Sequence, residues 1–242
     1  MLKPIERKSL ADSVYEQLRD AIVAGDLPAG SSLPSERALR AQLGVNRGAL
    51  REALKRLEEA RLVRIRHGGA TEVLDYRQHA GTSLLEDLLV GPDGAVRTRV
   101  ARSVIEMRAA LAPDIARLAA RRADADCVER LHELTAQLAE VDGVLAQQRV
   151  ALDFWGALVD GSDNLAYRLA YNSLREGYLR FMHLLSPVLA GEVSDVPAYE
   201  AIARAVGRGD EDVAESLSRE LLSRGTETMS ALMESLEREE SP

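Results

Sequence analysis

Three basic side chains at intervals of four residues form the part of the sequence best suited to bind a polyanion. They are Arg47, Arg51 and Lys55. In an α-helix this spacing places all three on one side. A guanidinium group can donate paired hydrogen bonds to guanine O6 and N7, and an ammonium group can pair with a phosphate. The pattern therefore indicates contact with a nucleic acid, with the helix lying in a major groove.

The distribution of charge supports this interpretation. The whole chain has a net charge of −8, but residues 37–66 carry nine basic side chains against three acidic ones. Residues 1–76 carry 13 basic and 11 acidic side chains, whereas residues 77–242 carry 18 and 28. Salt screens distant acidic groups beyond about 8–10 Å, so the local positive charge decides what binds there. The alternative is a solvated, salt-bridged helix surface, as most charge stripes are.

The residues around this stripe predict three helices. The first covers residues 9–24 and ends at Gly25, and the second covers 35–43 with Ser35 as its cap. Asn46 caps the third helix, which buries one apolar side at spacing i, i+3, i+4, i+7. The apolar residues of that side are Leu50, Ala53, Leu54 and Leu57.

A β-hairpin is predicted directly after the third helix. Val63 and Ile65 alternate with arginines, Thr71 and Val73 form the returning strand, and His67-Gly68-Gly69-Ala70 supplies the turn. Three helices followed by a hairpin are typical of a winged helix-turn-helix. At the tip of such a wing, His67 could enter a minor groove, although a single turn histidine usually has no role.

Within this unit we assign contacts by position on the helices. Arg47 and Arg51 lie in the first half of the third helix, where side chains reach base edges. Gly48 between them allows the backbone to approach the duplex closely. Arg37 and Arg40, on the preceding helix, are placed to bind phosphates.

The rest of the chain predicts helices without strands. A linker over 77–81 separates a DNA-binding domain (1–76) from a helical domain (82–237), so the fold class is mainly α. Short Gly/Asp/Pro/Ser breaks join the predicted helices, which favours an antiparallel all-helical bundle. These helices cover 82–90, 97–122, 124–147, 148–159, 163–186, 196–208 and 210–237. Pro113 falls inside the second of them and predicts a kink.

Several classes of protein are disfavoured by the composition. No apolar run approaches the roughly 18 residues needed to span a membrane, and the charged N-terminus lacks the apolar segment of a signal peptide. Cys127 is the single cysteine; a reducing cytoplasm therefore fits best. The four histidines have no Ser or Cys partner in a recognisable motif, and no Gly-rich phosphate loop is present, so an enzyme is not predicted.

The segments LPSER and VNRGALREAL resemble those of the GntR family of bacterial transcription regulators, and the similarity extends over residues 9–74. The resemblance implies a homodimer that binds a palindromic double-stranded DNA operator. It places Arg37, Arg47 and Arg51 at the family's arginine contact positions. It also places His67 and Gly68 at the tip of the wing.

The second half resembles the all-helical effector domain of the FadR-type branch of that family, notably in VIEMRAALAPDIARLAARRA and DFWGALVDGSDNLAYRLAYNSLREGY. Many members hold a metal ion there with one Asp and three His. The resemblance places Ala151, Trp155, Tyr199 and Leu221 at those positions. None of these side chains is an imidazole or carboxylate, so neither a structural nor a catalytic metal is predicted, and no other cofactor.

Arg108 matches the branch's ligand-facing arginine, and its guanidinium would suit a carboxylate or a polar acyl head. An intrahelical or interdomain ion pair is an equally good interpretation. Trp155, Asn172, Tyr178 and Tyr199 are further candidates for the ligand site, although each of these residue types is more often structural.

Together these features predict a ligand-responsive transcription regulator, a repressor, that controls fatty-acid or lipid metabolism through a fatty acyl effector. The alternative is a regulator of the same family that senses a small organic or sugar acid. A long apolar pocket would favour the first, and a small polar pocket the second.

Overall fold

The computed structural model describes residues 9–66, 70–91 and 94–240. His67 and Gly68, predicted to form the wing tip, lie outside the described residues. The chain divides into two compact units, Met1–Ala95 and Val96–Pro242. The first holds the predicted DNA-binding elements and the second is helical, so the predicted mainly α class is confirmed.

The N-terminal unit contains five helices and a two-stranded sheet among its described residues. The helices are α1 (Leu10–Ala24), α2 (Glu36–Leu43), α3 (Arg47–Glu59), α4 (Tyr76–His79) and α5 (Leu84–Leu88). The strands β1 (Val63–Arg64) and β2 (Glu72–Val73) are antiparallel, with Val63 opposite Val73. The opposite edge of β2 is also paired, because the Val73 amide donates to the Ser31 carbonyl at 2.8 Å.

The position of α3 is fixed by the turn before it and by its buried side. Gly44 has φ 65°, a left-handed conformation that ends α2 at little cost for glycine. The Asn46 side chain then accepts a hydrogen bond from the Ala49 amide at 2.9 Å and caps α3. The predicted apolar side of α3 is buried, with Leu50 and Leu57 fully inaccessible to solvent.

Residues 76–88 differ from the predicted linker. They form α4 and α5, and Asp87 of α5 contacts α1 in the same unit. The Tyr15 hydroxyl donates to Asp87 at 2.5 Å, and Arg19 lies 3.6 Å from the same carboxylate. The boundary between the compact units therefore falls at Ala95/Val96 instead of 77–81.

The C-terminal unit consists of six helices among the described residues. They are α6 (Thr98–Arg122), α7 (Ala125–Glu140), α8 (Val144–Gly161), α9 (Leu165–Val193), α10 (Val196–Gly207) and α11 (Glu211–Glu240). One apolar core joins them, with α6 packed along α11 and α8 between α7 and α9. No described helix has the length and apolarity that a membrane span requires.

Two of the predicted boundaries in this unit are wrong. Helix α7 ends at Glu140 instead of 147, because Gly143 adopts φ 88° and starts a new helix. Helix α9 continues to Val193 through the segment 186–193, which the sequence pattern assigned to a loop. Tertiary packing of a buried helix outweighs the weak helix propensity of its proline and glycines. Likewise α6 continues through Pro113.

Phe154 gives a direct test of this core. It is 1% exposed and packs edge-to-face on Tyr199, with ring centroids 5.0 Å apart. We expect Phe154→Ala to lower the free energy of unfolding by about 3–5 kcal/mol through the cavity it leaves. Urea denaturation followed by the fluorescence of Trp155, the single tryptophan, reports on this unit. Leu165→Ala, at a residue 73% exposed, is the control and should change stability by less than about 0.5 kcal/mol. Equal effects of the two substitutions would contradict the packing.

Candidate DNA-binding surface and effector cavity

The exposed side of α3 carries the predicted DNA contacts. Arg47, Gly48 and Arg51 are exposed there, and Arg37 is exposed on α2. Among the described residues, Arg37 and Arg47 form no side-chain ion pair. The structure therefore brings these side chains to the surface of one helix-turn-helix, where a duplex could reach them.

Arg51 is already paired. Its Nε lies 3.3 Å from Oε2 of Glu36 on α2, and the two side chains are 57% and 44% exposed. Water screens such an exposed pair, which contributes only about 0–1 kcal/mol. A phosphate or a guanine could replace Glu36 as the partner of Arg51 at little cost.

Not every basic residue of this segment belongs to the surface. Arg56 points towards α1, where it contacts Asp12 at 2.5 Å and stacks on Tyr15 at 4.3 Å. Hydrogen bonds from the Ser9 hydroxyl and from Arg56 hold the pKa of Asp12 below its usual value. Arg66 pairs with Glu72 of β2 at 2.8 Å. The positive charge that this segment presents to DNA is therefore smaller than the excess of basic over acidic residues in its sequence indicates.

Gly48 is placed next to the cap of α3. A Cβ atom built at this position would lie 3.3 Å from the Asn46 Oδ1 that caps the helix. This contact is tighter than usual, so a larger residue would have to displace the capping side chain slightly. Close approach of the Gly48 backbone to DNA stays a prediction.

Loss of either arginine of α3 should weaken DNA binding. We expect Arg47→Ala and Arg51→Ala each to cost about 1–3 kcal/mol and to reduce sequence preference, because the guanidinium contacts to base edges are lost. The measurement is fluorescence anisotropy on a duplex that the wild type selects from a random pool. Arg130→Ala removes the same charge from an exposed side chain of α7 and serves as the control. Wild-type affinity in both α3 variants would refute this surface.

The pair between Arg51 and Glu36 allows a second test. Glu36→Gln should raise the affinity for the same duplex up to about fivefold, because Arg51 no longer has to leave a carboxylate. In the Arg51→Ala background the gain should shrink, which a double-mutant cycle measures. An undiminished gain would mean that Glu36 only repels the phosphates.

The helical unit contains a cavity between α6, α8, α9 and α10. Its walls are largely apolar, and its volume is about 90 Å³. The aliphatic walls include Leu111, Ala112, Ile115, Ala151, Leu152 and Val159. The polar side chains used below are Arg108, Gln148, Trp155, Tyr178, Glu192 and Tyr199. An apolar cavity with a few polar groups is the usual form of a small-molecule site.

One ion pair crosses the cavity wall. Arg108 of α6 donates from Nη2 to Oε1 of Glu192 on α9. The Glu192 side chain is 2% exposed, whereas 25% of the Arg108 side chain remains accessible. Burial opposes the charge of Arg108, but the charge and hydrogen bond of Glu192 outweigh it and raise the pKa of the guanidinium. Arg108 therefore stays cationic inside the unit.

Several polar atoms of the lining residues are buried and have no hydrogen-bond partner. The clearest cases are Arg108 Nη1, Gln148 Nε2 and Glu192 Oε2. Buried polar atoms are normally paired, because an unpaired one costs about 1–3 kcal/mol. Their concentration around one cavity points to a ligand that supplies partners.

The tyrosines of the cavity are neutral. Burial, and then the nearby charge of Glu192, raises the pKa of Tyr199. Burial also raises the pKa of Tyr171 and of Tyr178. At neutral pH these phenols keep their protons and remain able to donate hydrogen bonds.

The structure brings together four of the five ligand residues that the sequence predicts. Arg108, Trp155, Tyr178 and Tyr199 line the cavity. Asn172 does not, because it lies on the exposed side of α9. The residues of α9 that do line the cavity include Tyr171, Leu174, Arg175 and Tyr178. Their i, i+3, i+4, i+7 spacing defines one side of the helix, and Asn172 is turned about 100° from Tyr171.

Sequence reasoning missed Glu192 and Gln148. Glu192 was assigned to a loop, so nothing placed it opposite Arg108. Gln148 is fully buried, and its Oε1 accepts a hydrogen bond from the Ser186 hydroxyl at 3.1 Å. The available indication was a polar residue within an apolar helical side. Val144 precedes Gln148 by four residues, and Ala151 and Leu152 follow it by three and four.

The four positions that the family resemblance assigns to a metal site carry side chains that do not bind metals well. Ala151, Trp155 and Tyr199 line the cavity, and Leu221 is 1% exposed in the core. The described residues include no group of three or more His, Cys, Asp or Glu suited to a metal ion. The residues at this site thus do not fit a metal-binding role.

An exposed basic helix on a helix-turn-helix, joined in one chain to a helical unit with a ligand-sized cavity, defines a helix-turn-helix transcription regulator. Family models agree. The model of the bacterial regulatory proteins of the gntR family matches residues 10–73, and the FCD domain model matches residues 103–224. The chain belongs to the GntR family, with an FCD domain as its effector-binding half. It is therefore a transcription regulator.

Individual relatives support this assignment. The chain is 36% identical over 232 residues to the HTH-type transcriptional regulator Mce2R of Mycobacterium tuberculosis, covering 96% of both chains. It is 32% identical over 178 residues to the fatty acid metabolism regulator protein of Yersinia enterocolitica, covering 73% of this chain and 72% of the relative. A transcriptional regulator of the GntR family from Pseudomonas syringae has the same fold, with a TM-score of 0.50 at 23% identity; the match covers 95% of this chain and 88% of that one.

Proposed function

We propose that this regulator binds a palindromic operator as a homodimer and releases it when a fatty acyl effector occupies the cavity of the helical unit. The observation that carries the proposal is the group of unpaired, buried polar atoms around an apolar cavity. Such a site is incomplete without a ligand, and the chain also carries a DNA-binding surface. Control of DNA binding by the ligand is the function that uses both.

A homodimer matches the geometry of duplex DNA. Two copies of α3 would lie in successive major grooves about 34 Å apart, and the wings would reach the flanking minor grooves. The effector must bind more tightly to a dimer geometry that no longer matches the operator. A tenfold preference shifts that equilibrium by about 1.4 kcal/mol. The protein then acts as a repressor that the effector inactivates.

The fatty acyl assignment has two supports. The cavity walls are largely apolar, with aliphatic and aromatic side chains, which suits a hydrocarbon chain. A relative that covers most of the chain is the fatty acid metabolism regulator protein of Yersinia enterocolitica. We therefore propose that the genes under control serve fatty-acid or lipid metabolism.

A small organic acid is the second candidate, and the size of the cavity supports it. The accessible volume of about 90 Å³ holds only a few water molecules or a short organic molecule. A long acyl chain would require side chains in the wall to move apart. The two candidates differ in the length of the apolar part of the ligand.

The direct experiment is mass spectrometry of small molecules extracted from the purified full-length protein. A retained acyl compound, which on addition releases the protein from its selected duplex, is the expected result. A retained short organic acid with the same effect would favour the second candidate. If no retained or added organic acid or acyl compound changes DNA binding, the proposal of effector control fails.

Removal of the charged pair in the cavity should abolish the response to the effector while leaving DNA binding intact. We expect Arg108→Met combined with Glu192→Leu to keep the operator affinity within about twofold and to abolish release by the effector. Replacing both charges avoids the penalty of leaving one of them buried alone. The control is Arg204→Met with Glu200→Leu, which removes an exposed pair on α10 and should leave the response intact. Normal release from the cavity variant would contradict its role.

A further inference from the structure

We propose that the cavity selects an effector whose polar end is an uncharged carbonyl group and whose remainder is apolar. An ester, a thioester, an amide or a protonated carboxylic acid has such an end. The inference rests on the proposed function, since it concerns the ligand of the same cavity. It goes further because it names the chemical form in which the ligand binds.

The first argument is charge balance. Glu192 already neutralises Arg108, and its side chain is 2% exposed. A ligand carboxylate beside Arg108 would place a second negative charge close to Glu192, where burial makes repulsion strong. The other cation that lines the cavity is Arg175, which is 42% exposed and lies 3.5 Å from Asp153. Water and that partner weaken its attraction for a buried anion.

The second argument is the number of unpaired donors and acceptors. Arg108 Nη1 and Gln148 Nε2 are donors, and Glu192 Oε2 is the one atom of these three that can only accept. The Ser186 hydroxyl lies 3.1 Å from Gln148 Oε1 and 3.2 Å from the Met182 carbonyl oxygen, and neither contact gives the Gln148 amide nitrogen an acceptor. Because donors are in excess, the ligand head must mainly accept hydrogen bonds, as a carbonyl oxygen does.

The charge of the cavity is constant near neutral pH. Its titratable lining residues are Arg108, Arg175, Glu192, Tyr167, Tyr171, Tyr178 and Tyr199. No described residue of the lining is a histidine or a cysteine. Burial raises the pKa values of Tyr171, Tyr178 and Tyr199, whereas the hydrogen bond to Asp114, followed by burial, raises the pKa of Tyr167, so all four tyrosines keep their protons. A pH dependence of binding between about pH 6 and 8 must therefore come from the ligand.

The test compares hexanamide with hexanoate, two probes of similar size that differ in charge. Isothermal titration calorimetry on the full-length protein at pH 7.5 should give hexanamide at least about tenfold tighter binding. Between pH 6 and 8 the affinity for hexanoate should fall about tenfold per pH unit, because only the protonated acid binds and its pKa is near that of other carboxylic acids. The affinity for hexanamide should not change.

Removing the negative charge of Glu192 gives the complementary test. Glu192→Gln keeps the shape of the side chain and leaves the Arg108 charge without a carboxylate partner. Hexanoate should then bind about tenfold more tightly than to the wild type and lose its pH dependence. Glu200→Gln, at an exposed side chain on α10, removes the same charge outside the cavity and should not change the affinity for either probe.

The outcomes separate this inference from the proposed function. Wild-type binding of hexanoate as tight as that of hexanamide, without pH dependence, would overturn the inference and leave the cavity as an effector site. Failure of hexanamide to bind the wild type would also overturn it. If neither probe bound the wild type or Glu192→Gln, the assignment of the cavity as the effector site would fall as well.

Discussion

The pairing of Arg108 with Glu192 is the constraint on which the helical unit depends. A carboxylate that is 2% exposed needs a cation, and α6 supplies it across to α9. Helix α11 makes room for the same carboxylate, because a Cβ at Gly225 would overlap Glu192 Oε2. Three helices are thus fitted around one charged group. The same group contributes a buried ion pair to a cavity whose walls are otherwise largely apolar.

Buried or shielded charge has the same organising role in the N-terminal unit. Arg56 is held by Asp12 and stacks on Tyr15, and the Tyr15 hydroxyl donates to Asp87 of α5. These contacts attach both α3 and α5 to α1. They also separate basic residues that stabilise the fold from those that remain exposed for DNA, namely Arg47 and Arg51. The stripe in the sequence does not distinguish the two groups.

The two sites place different demands on their side chains. The proposed DNA surface relies on exposed arginines, of which Arg51 has a weakly held partner, Glu36, that a duplex can replace. The cavity relies on side chains that water reaches poorly, so a ligand must satisfy the hydrogen bonds that the protein leaves unmade. The first site tolerates the exchange of one anion for another. In the proposal above, the cavity selects its ligand by charge and by hydrogen-bonding capacity, because water cannot pair with the buried polar atoms that a wrong ligand leaves unpaired.

The sequence by itself determined the local features. Gly44, Asn46 and the leucines of α3 specify the turn, the cap and the buried side within 14 residues. Turn and capping preferences identified the first two, and periodicity identified the leucines. The family resemblance supplied the ligand role of Arg108, whereas Trp155, Tyr178 and Tyr199 were candidates that the sequence could not separate from core residues. Only the tertiary structure decided that Glu192 continues a helix and faces Arg108, that Asn172 points outwards and that residues 76–88 belong with α1. Each of these depends on contacts between residues far apart in the chain, where packing outweighs local propensity.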